Sequence, residues 1–148
     1  MGVNRIMNKN TFRKLADAKT LIIDDDEFIR DSISLVFKNR GCFLRAVETA
    51  EDGLMALEEE NFDIVISDYR LPGMNGLNFF RLLAIRLPDT LRILISAFMD
   101  KTVFSDAREI GIHEFMEKPF PVEAFLKNLE ALMQNRDSNA TAFQTAGR

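Results

Sequence analysis

The stretch LIIDDDEFIRDSI, residues 21–33, places Asp24, Asp25 and Asp26 directly after an apolar run. At ~4 Å and an effective dielectric of ~20, each pair of like charges repels by about 4 kcal/mol. Two arrangements relieve that cost. The side chains can fan into water at an acidic helix start, where the helix dipole favours them, or two of them can hold a hard cation. Three more reactive groups also follow apolar runs: Asp68 in DIVISDYRLPGMNG, Ser96 in RILISAF and Lys118 in FMEKPF. Carboxylate oxygens joined by water and a backbone carbonyl suit Mg²⁺. A further carboxylate, a hydroxyl and an ammonium around that ion suit a phosphoryl group. The chain has neither a P-loop pattern nor G-x-G-x-x-G, so a nucleotide site has little support. A covalent acyl phosphate on a carboxylate nucleophile fits better, and Asp68 is the best candidate.

Those groups need elements to hold them. Short apolar runs at Leu21–Ile23, Phe43–Val47, Ile64–Ile66, Leu91–Ile95 and Ile112–Met116 alternate with amphipathic stretches, the pattern of βα units. Ile29, Ile33 and Phe37 mark one face of a first helix that stops at Gly41. Thr49 can cap a second helix, with Leu54 and Leu57 inward. Leu77, Phe80 and Ala84 suit a third that ends before Pro88. Val103, Ala107 and Ile110 mark a fourth closed by Gly111. Pro121 opens a fifth, with Phe125, Leu129 and Leu132 as its stripe. Five such units predict an α/β domain: a doubly wound, five-stranded parallel sheet of order 2-1-3-4-5 with helices on both faces. Ligands of such sheets bind beyond the carboxyl ends of the strands, where the order reverses.

Sorting the reactive groups by strand decides between the two readings of the carboxylates. Asp24 and Asp25 follow strand one, Asp68 strand three, Ser96 strand four and Lys118 strand five. These strands are contiguous in the predicted order, so the groups converge on one site. The motifs DDDEFIR, SDYRLPGMNG, SA and KPF, in this order and spacing, make residues 20–134 resemble a response-regulator receiver domain of bacterial two-component signalling, of the single-domain chemotaxis type. The resemblance implies a flavodoxin-like fold. It implies Asp68 as phosphoacceptor and Mg²⁺ held by Asp25, by Asp24 largely through water, by Asp68 and by the backbone carbonyl of Arg70. It further implies Lys118 paired with the phosphoryl oxygens, Ser96 as a switch hydroxyl and a cis bond before Pro119. Phe115 falls where the family carries a switching aromatic, often tyrosine, and here the ring lacks a hydroxyl. Asp26 matches a variable position and returns to the helix-start reading.

The resemblance implies a donor, a sensor histidine kinase or histidine phosphotransfer protein, and an output through a downstream protein or a receiver homodimer. The domain would catalyse its own modification without being a dedicated enzyme. The partner face would run across the fourth helix, fifth strand and fifth helix, with Phe104 and Leu126 as its exposed apolar residues. Arg70 and Phe98, each two residues past a site residue, are placed to cover the phosphoryl. His113, the one histidine, lies at a strand start and is no phosphorylation candidate. An aspartyl phosphohydrolase of the haloacid-dehalogenase type is the rival, but it calls for D-x-D-x-T/V where this chain reads Asp68-Tyr69-Arg70-Leu71. A receiver that binds partners without phosphorylation is a third reading, and the complete site argues against it.

Composition is compatible with all of this. The chain has 148 residues, 47% hydrophobic and 28% charged, with a net charge of -4, the profile of one soluble globular domain without a nucleic-acid surface. One cysteine, Cys42, excludes an internal disulfide and suggests the cytoplasm. No apolar run reaches the ~20 residues of a membrane span, and no signal peptide is visible. Residues 1–19 read as a basic extension with Phe12 and Leu15 as core candidates, and residues 135–148 as a flexible polar tail. No DNA-binding segment follows the fifth helix in this sequence, so output is expected through protein contact, unless the sequence is a fragment of a longer regulator.

Overall fold

Five strands, β1 (Lys19–Ile23), β2 (Phe43–Val47), β3 (Ile64–Asp68), β4 (Leu91–Ser96) and β5 (Glu114–Glu117), form one parallel sheet in the order β2-β1-β3-β4-β5. The computed structural model describes residues 15–98 and 100–146, the stretch 136–146 by its backbone only. Most of the expected basic extension, Phe12 included, lies outside the described residues. Its visible end is helical at 15–17 and buries Leu15.

The central strands are apolar on both faces, as a covered parallel sheet requires. Ile22, Ile64, Ile66, Ile93 and Ile95 point to one side, where they meet Ile33, Phe37, Phe125 and Leu129. Leu21, Ile23, Val65 and Leu94 point to the other, against Ala56, Leu77, Phe80 and Ala107. The helices are α1 (Glu27–Asn39), α2 (Ala50–Glu59), α3 (Gly76–Arg86), α4 (Lys101–Ile110) and α5 (Val122–Ala146). Helices α1 and α5 cover the first face, and α2, α3 and α4 the second.

Side chains start these helices where the sequence provides a capping residue. Asp26 Oδ1 accepts from the N–H groups of Phe28 and Ile29, so Asp26 is the N-cap of α1. Thr49, Asn75 and Asp100 do the same for α2, α3 and α4. Gly111 ends α4 with φ +91°, in the left-handed region that favours glycine.

Four expectations need correction. Strand β5 starts at Glu114, not Ile112, because the N–H of Ile112 bonds to the Ala107 carbonyl in closing α4. Helix α5 starts one residue after Pro121, whose carbonyl accepts the N–H of Phe125. It then continues to Ala146 through the expected tail, since no glycine or proline interrupts residues 122–145. Leu126, expected on the partner face, is 1% exposed. It packs in the core with Phe125, Leu129 and Met133, while Leu132 is only partly buried. The apolar face of α5 therefore runs through 126, 129 and 133 as well as 125.

Candidate functional site

Strand β1 delivers Asp24, the residue directly after its end, into a fully buried position. The N–H of Asp24 donates to Val47 O at 3.1 Å, and Asp24 Oδ1 accepts the N–H of Asp26 at 2.9 Å. Asp25 points into solvent from the same turn. Strand β3 ends on Asp68, 6% exposed, whose Oδ1 accepts the N–H of Arg70 at 3.3 Å. The start of α3 lies hard against this residue. A Cβ on Gly76 would sit 2.2 Å from the Asp68 carbonyl oxygen, so only glycine permits the approach. The N–H of Gly76 donates to Tyr69 O at 2.9 Å and closes the loop.

Lys118 follows β5, its backbone N–H bonded to Ser96 O and its peptide bond to Pro119 cis. Its Nζ donates to Asp68 Oδ2 at 2.7 Å and lies 3.0 Å from Asp24 Oδ2. Burial alone pushes the Lys118 ammonium down, but its hydrogen bond to Asp68 and its contact with Asp24 outweigh this and raise it above its ordinary range. Asp24 is raised as well, mainly by burial and further by the Asp68 charge. Asp24 Oδ2 is buried and ion-paired with Lys118 at 3.0 Å, without a hydrogen bond. A buried carboxylate is costly unless opposite charge meets it, and here the Lys118 ammonium does so.

Asp24, Asp25 and Asp68 each offer one oxygen, and the three lie within 4.8 Å of one another. An all-oxygen donor set that includes a buried oxygen without a hydrogen bond fits a hard divalent cation. Among the sequence candidates, the structure thus brings together Asp24, Asp25, Asp68 and Lys118. Ser96 is buried but engaged elsewhere: its hydroxyl donates to Phe98 O at 2.7 Å and accepts the Phe98 N–H at 3.1 Å. Phe115 is half-buried and stacks on Phe104, with centroids 4.5 Å apart. Phe104 is 39% exposed and Phe98 60%.

Two residues near the site were not singled out in the sequence. Arg30 Nη1 donates to the Asp24 carbonyl at 2.8 Å. Its signal is the helical offset, since a side chain one turn into a helix leans back over the N-terminus. Glu51 Oε2 accepts the N–H of Met74 at 3.2 Å and ties α2 to the loop after Asp68. No sequence pattern marks that contact.

Comparison with known proteins agrees with the geometry. The sequence profile of the response regulator receiver domain matches residues 20–130. The chain belongs to this family, whose members are signalling domains of two-component systems rather than dedicated enzymes. It is 31% identical over 109 residues to the DNA-binding transcriptional regulator NtrC of Proteus hauseri, covering 74% of this chain and 23% of that protein. It is 34% identical over 111 residues to the response regulator FleR of Pseudomonas aeruginosa, with the same coverages. The chain thus spans about a quarter of the length of these curated relatives. The BeF3-activated DrrB receiver domain superposes with a TM-score of 0.71 at 27% identity, over 79% of this chain and 97% of that one. A CheY-like receiver from Methanospirillum hungatei shares the fold with a TM-score of 0.78 at 22% identity, over 82% and 98%. Among the described residues, no helix is long and apolar enough to cross a membrane.

Proposed function

We propose that this domain is a phosphorylation-dependent switch. Asp68 accepts a phosphoryl group from a phosphohistidine on a sensor histidine kinase or histidine phosphotransfer protein. A carboxylate oxygen of Asp68 bonds to phosphorus as the P–N bond breaks, and the imidazole nitrogen keeps the bonding pair. The observation that supports this most is the 2.7 Å contact of Lys118 with an Asp68 carboxylate that shares a 4.8 Å cluster with Asp24 and Asp25. Asp24, Asp25, Asp68 and the Arg70 carbonyl would hold Mg²⁺, which would supply positive charge against the phosphoryl oxygens.

The chain's own residues do the rest. Lys118 moves its ammonium from the carboxylate to a phosphoryl oxygen and keeps a charge-assisted bond throughout. Ser96 trades its bonds to the Phe98 backbone for one to the phosphoryl, which pulls the β4–α4 loop inward. Phe115 follows, and its stack on Phe104 is remade. The output is therefore a population shift on the α4–β5 surface, read by a protein partner or a second receiver. Phe104, beside the recess lined by Asp100, Lys101 and Arg108, is the apolar residue of that face, and Leu126 is not part of it.

Amide hydrogen exchange with acetyl phosphate and Mg²⁺, against the same protein in EDTA, tests the switch. The exchange rates of residues 97–116 should change, and those of α1 and β1 should not. Unchanged exchange at 97–116 in a fully phosphorylated sample would show a modified protein that does not switch.

A further inference from the structure

Asp24 is gripped at three of its four polar positions. Its N–H goes to Val47 O, its Oδ1 takes the Asp26 N–H, and its carbonyl takes Arg30 Nη1 at 2.8 Å. The fourth, Oδ2, is buried and ion-paired with Lys118 at 3.0 Å, without a hydrogen bond. The Asp24 carbonyl and the Asp25 N–H share one rigid peptide plane. A donor on that carbonyl therefore fixes where the Cα of Asp25 sits. Asp25 is exposed, so packing does not hold it; the peptide plane holds it from one side, and the turn closed by the Asp26 N–H on Asp24 Oδ1 from the other. Arg30 can act there because the N–H of Arg30 bonds to Asp26 O in the first turn of α1, which turns its side chain back over the end of β1.

We infer that Arg30 is a positioning residue for the divalent cation: its guanidinium locks the Asp24–Asp25 peptide so that both carboxylates present oxygens to one ion. This rests on the reading of the acidic cluster as a cation site. The sign of the effect separates geometry from charge. A guanidinium beside the site repels a cation, so a purely electrostatic role predicts that removing it tightens binding. A positioning role predicts the reverse.

The test is calorimetric titration of the full chain with Mg²⁺ alone, for wild type, Arg30→Met and Arg30→Lys, alongside the metal-free Tm of each. Groups that orient metal ligands typically contribute ten- to hundredfold in affinity. Arg30→Met should accordingly raise the Mg²⁺ Kd by about tenfold. Arg30→Lys, which keeps the charge but not the planar fork, should fall between Met and wild type. If Arg30→Met does not fold, a raised Kd in Arg30→Lys carries the same conclusion and an unchanged one overturns it. A lower Tm with an unchanged or lower Kd would make Arg30 merely structural and overturn the role. A wild type that binds no Mg²⁺ overturns the cation site itself, and this role with it.

Discussion

Each end of the sheet holds a cation, buried at one end and half-buried at the other, and the two are treated differently. At the carboxyl end, Lys118 faces Asp68 and Asp24, so charge answers charge. At the amino end, Arg92 is 7% exposed and donates to the carbonyls of Pro88, Thr90 and Gly111. Burial lowers Arg92 from its ordinary range, whereas two carboxylates raise Lys118 despite its burial. His113 belongs to the amino end too: its Nδ1 accepts the Arg92 N–H, and its own N–H donates to Arg92 O. Cation and imidazole there are absorbed into main-chain bonding, which makes a scaffold. At the other end cation and carboxylates meet side chain to side chain, an arrangement that a bound ion can remake, which makes a site.

That contrast can be broken by substitution. The largest effect on stability is expected from Arg92→Met, which leaves three main-chain carbonyls without their donor. Urea unfolding should show a loss of about 3 kcal/mol, given the ~1–3 kcal/mol cost of a stranded buried polar group. The Mg²⁺ affinity of the folded variant should be unchanged. Lys118→Ala should also bind Mg²⁺, yet fail to pass the signal to residues 97–116. A loss of affinity as large as that of Asp25→Ala would contradict the division of roles.

Asp24→Asn sharpens the comparison through pH. Because the folded-state pKa of Asp24 lies above its ordinary value of 3.8, the folded protein binds more protons than the unfolded chain in that window. Wild-type stability from this group therefore falls as pH rises from 3.8 through the raised pKa. The Asn variant lacks that fall, so its advantage in Tm, measured in EDTA, should grow over the same range and then level off. A constant difference across pH would place the burial cost elsewhere. The smallest effect concerns lifetime. If Arg70 and Phe98 shield the phosphoryl, changing both to Ala should speed dephosphorylation a few-fold, and an unchanged or slower rate would retire the shield.

The carboxyl end was legible in the sequence because each of its residues follows an apolar run that must be a strand, and strand order then assembles them. Asp26 was legible as a helix-start acid for a local reason, the capping of the two residues after it. What escaped was set by packing across elements. Nothing near Arg92 announces that its guanidinium will meet carbonyls from α4 and the loop before β4. The burial of Leu126 depends on how α5 is rotated against α1 and the sheet. Adjacent apolar pairs, Phe125–Leu126 and Leu132–Met133, leave that rotation ambiguous by one residue. Arg30 and Glu51 reach across turns whose shape only the fold provides.

The central claim is that the carboxylates at the carboxyl end form a cation-dependent phosphoacceptor site with Asp68 as acceptor. Intact mass after incubation with acetyl phosphate, with Mg²⁺ or with EDTA, for wild type and Asp68→Asn, tests it most directly. Wild type should gain the mass of one phosphoryl group with Mg²⁺ and none with EDTA, and Asp68→Asn should gain none in either condition. Equal labelling of Asp68→Asn, or labelling of wild type that ignores EDTA, would contradict it.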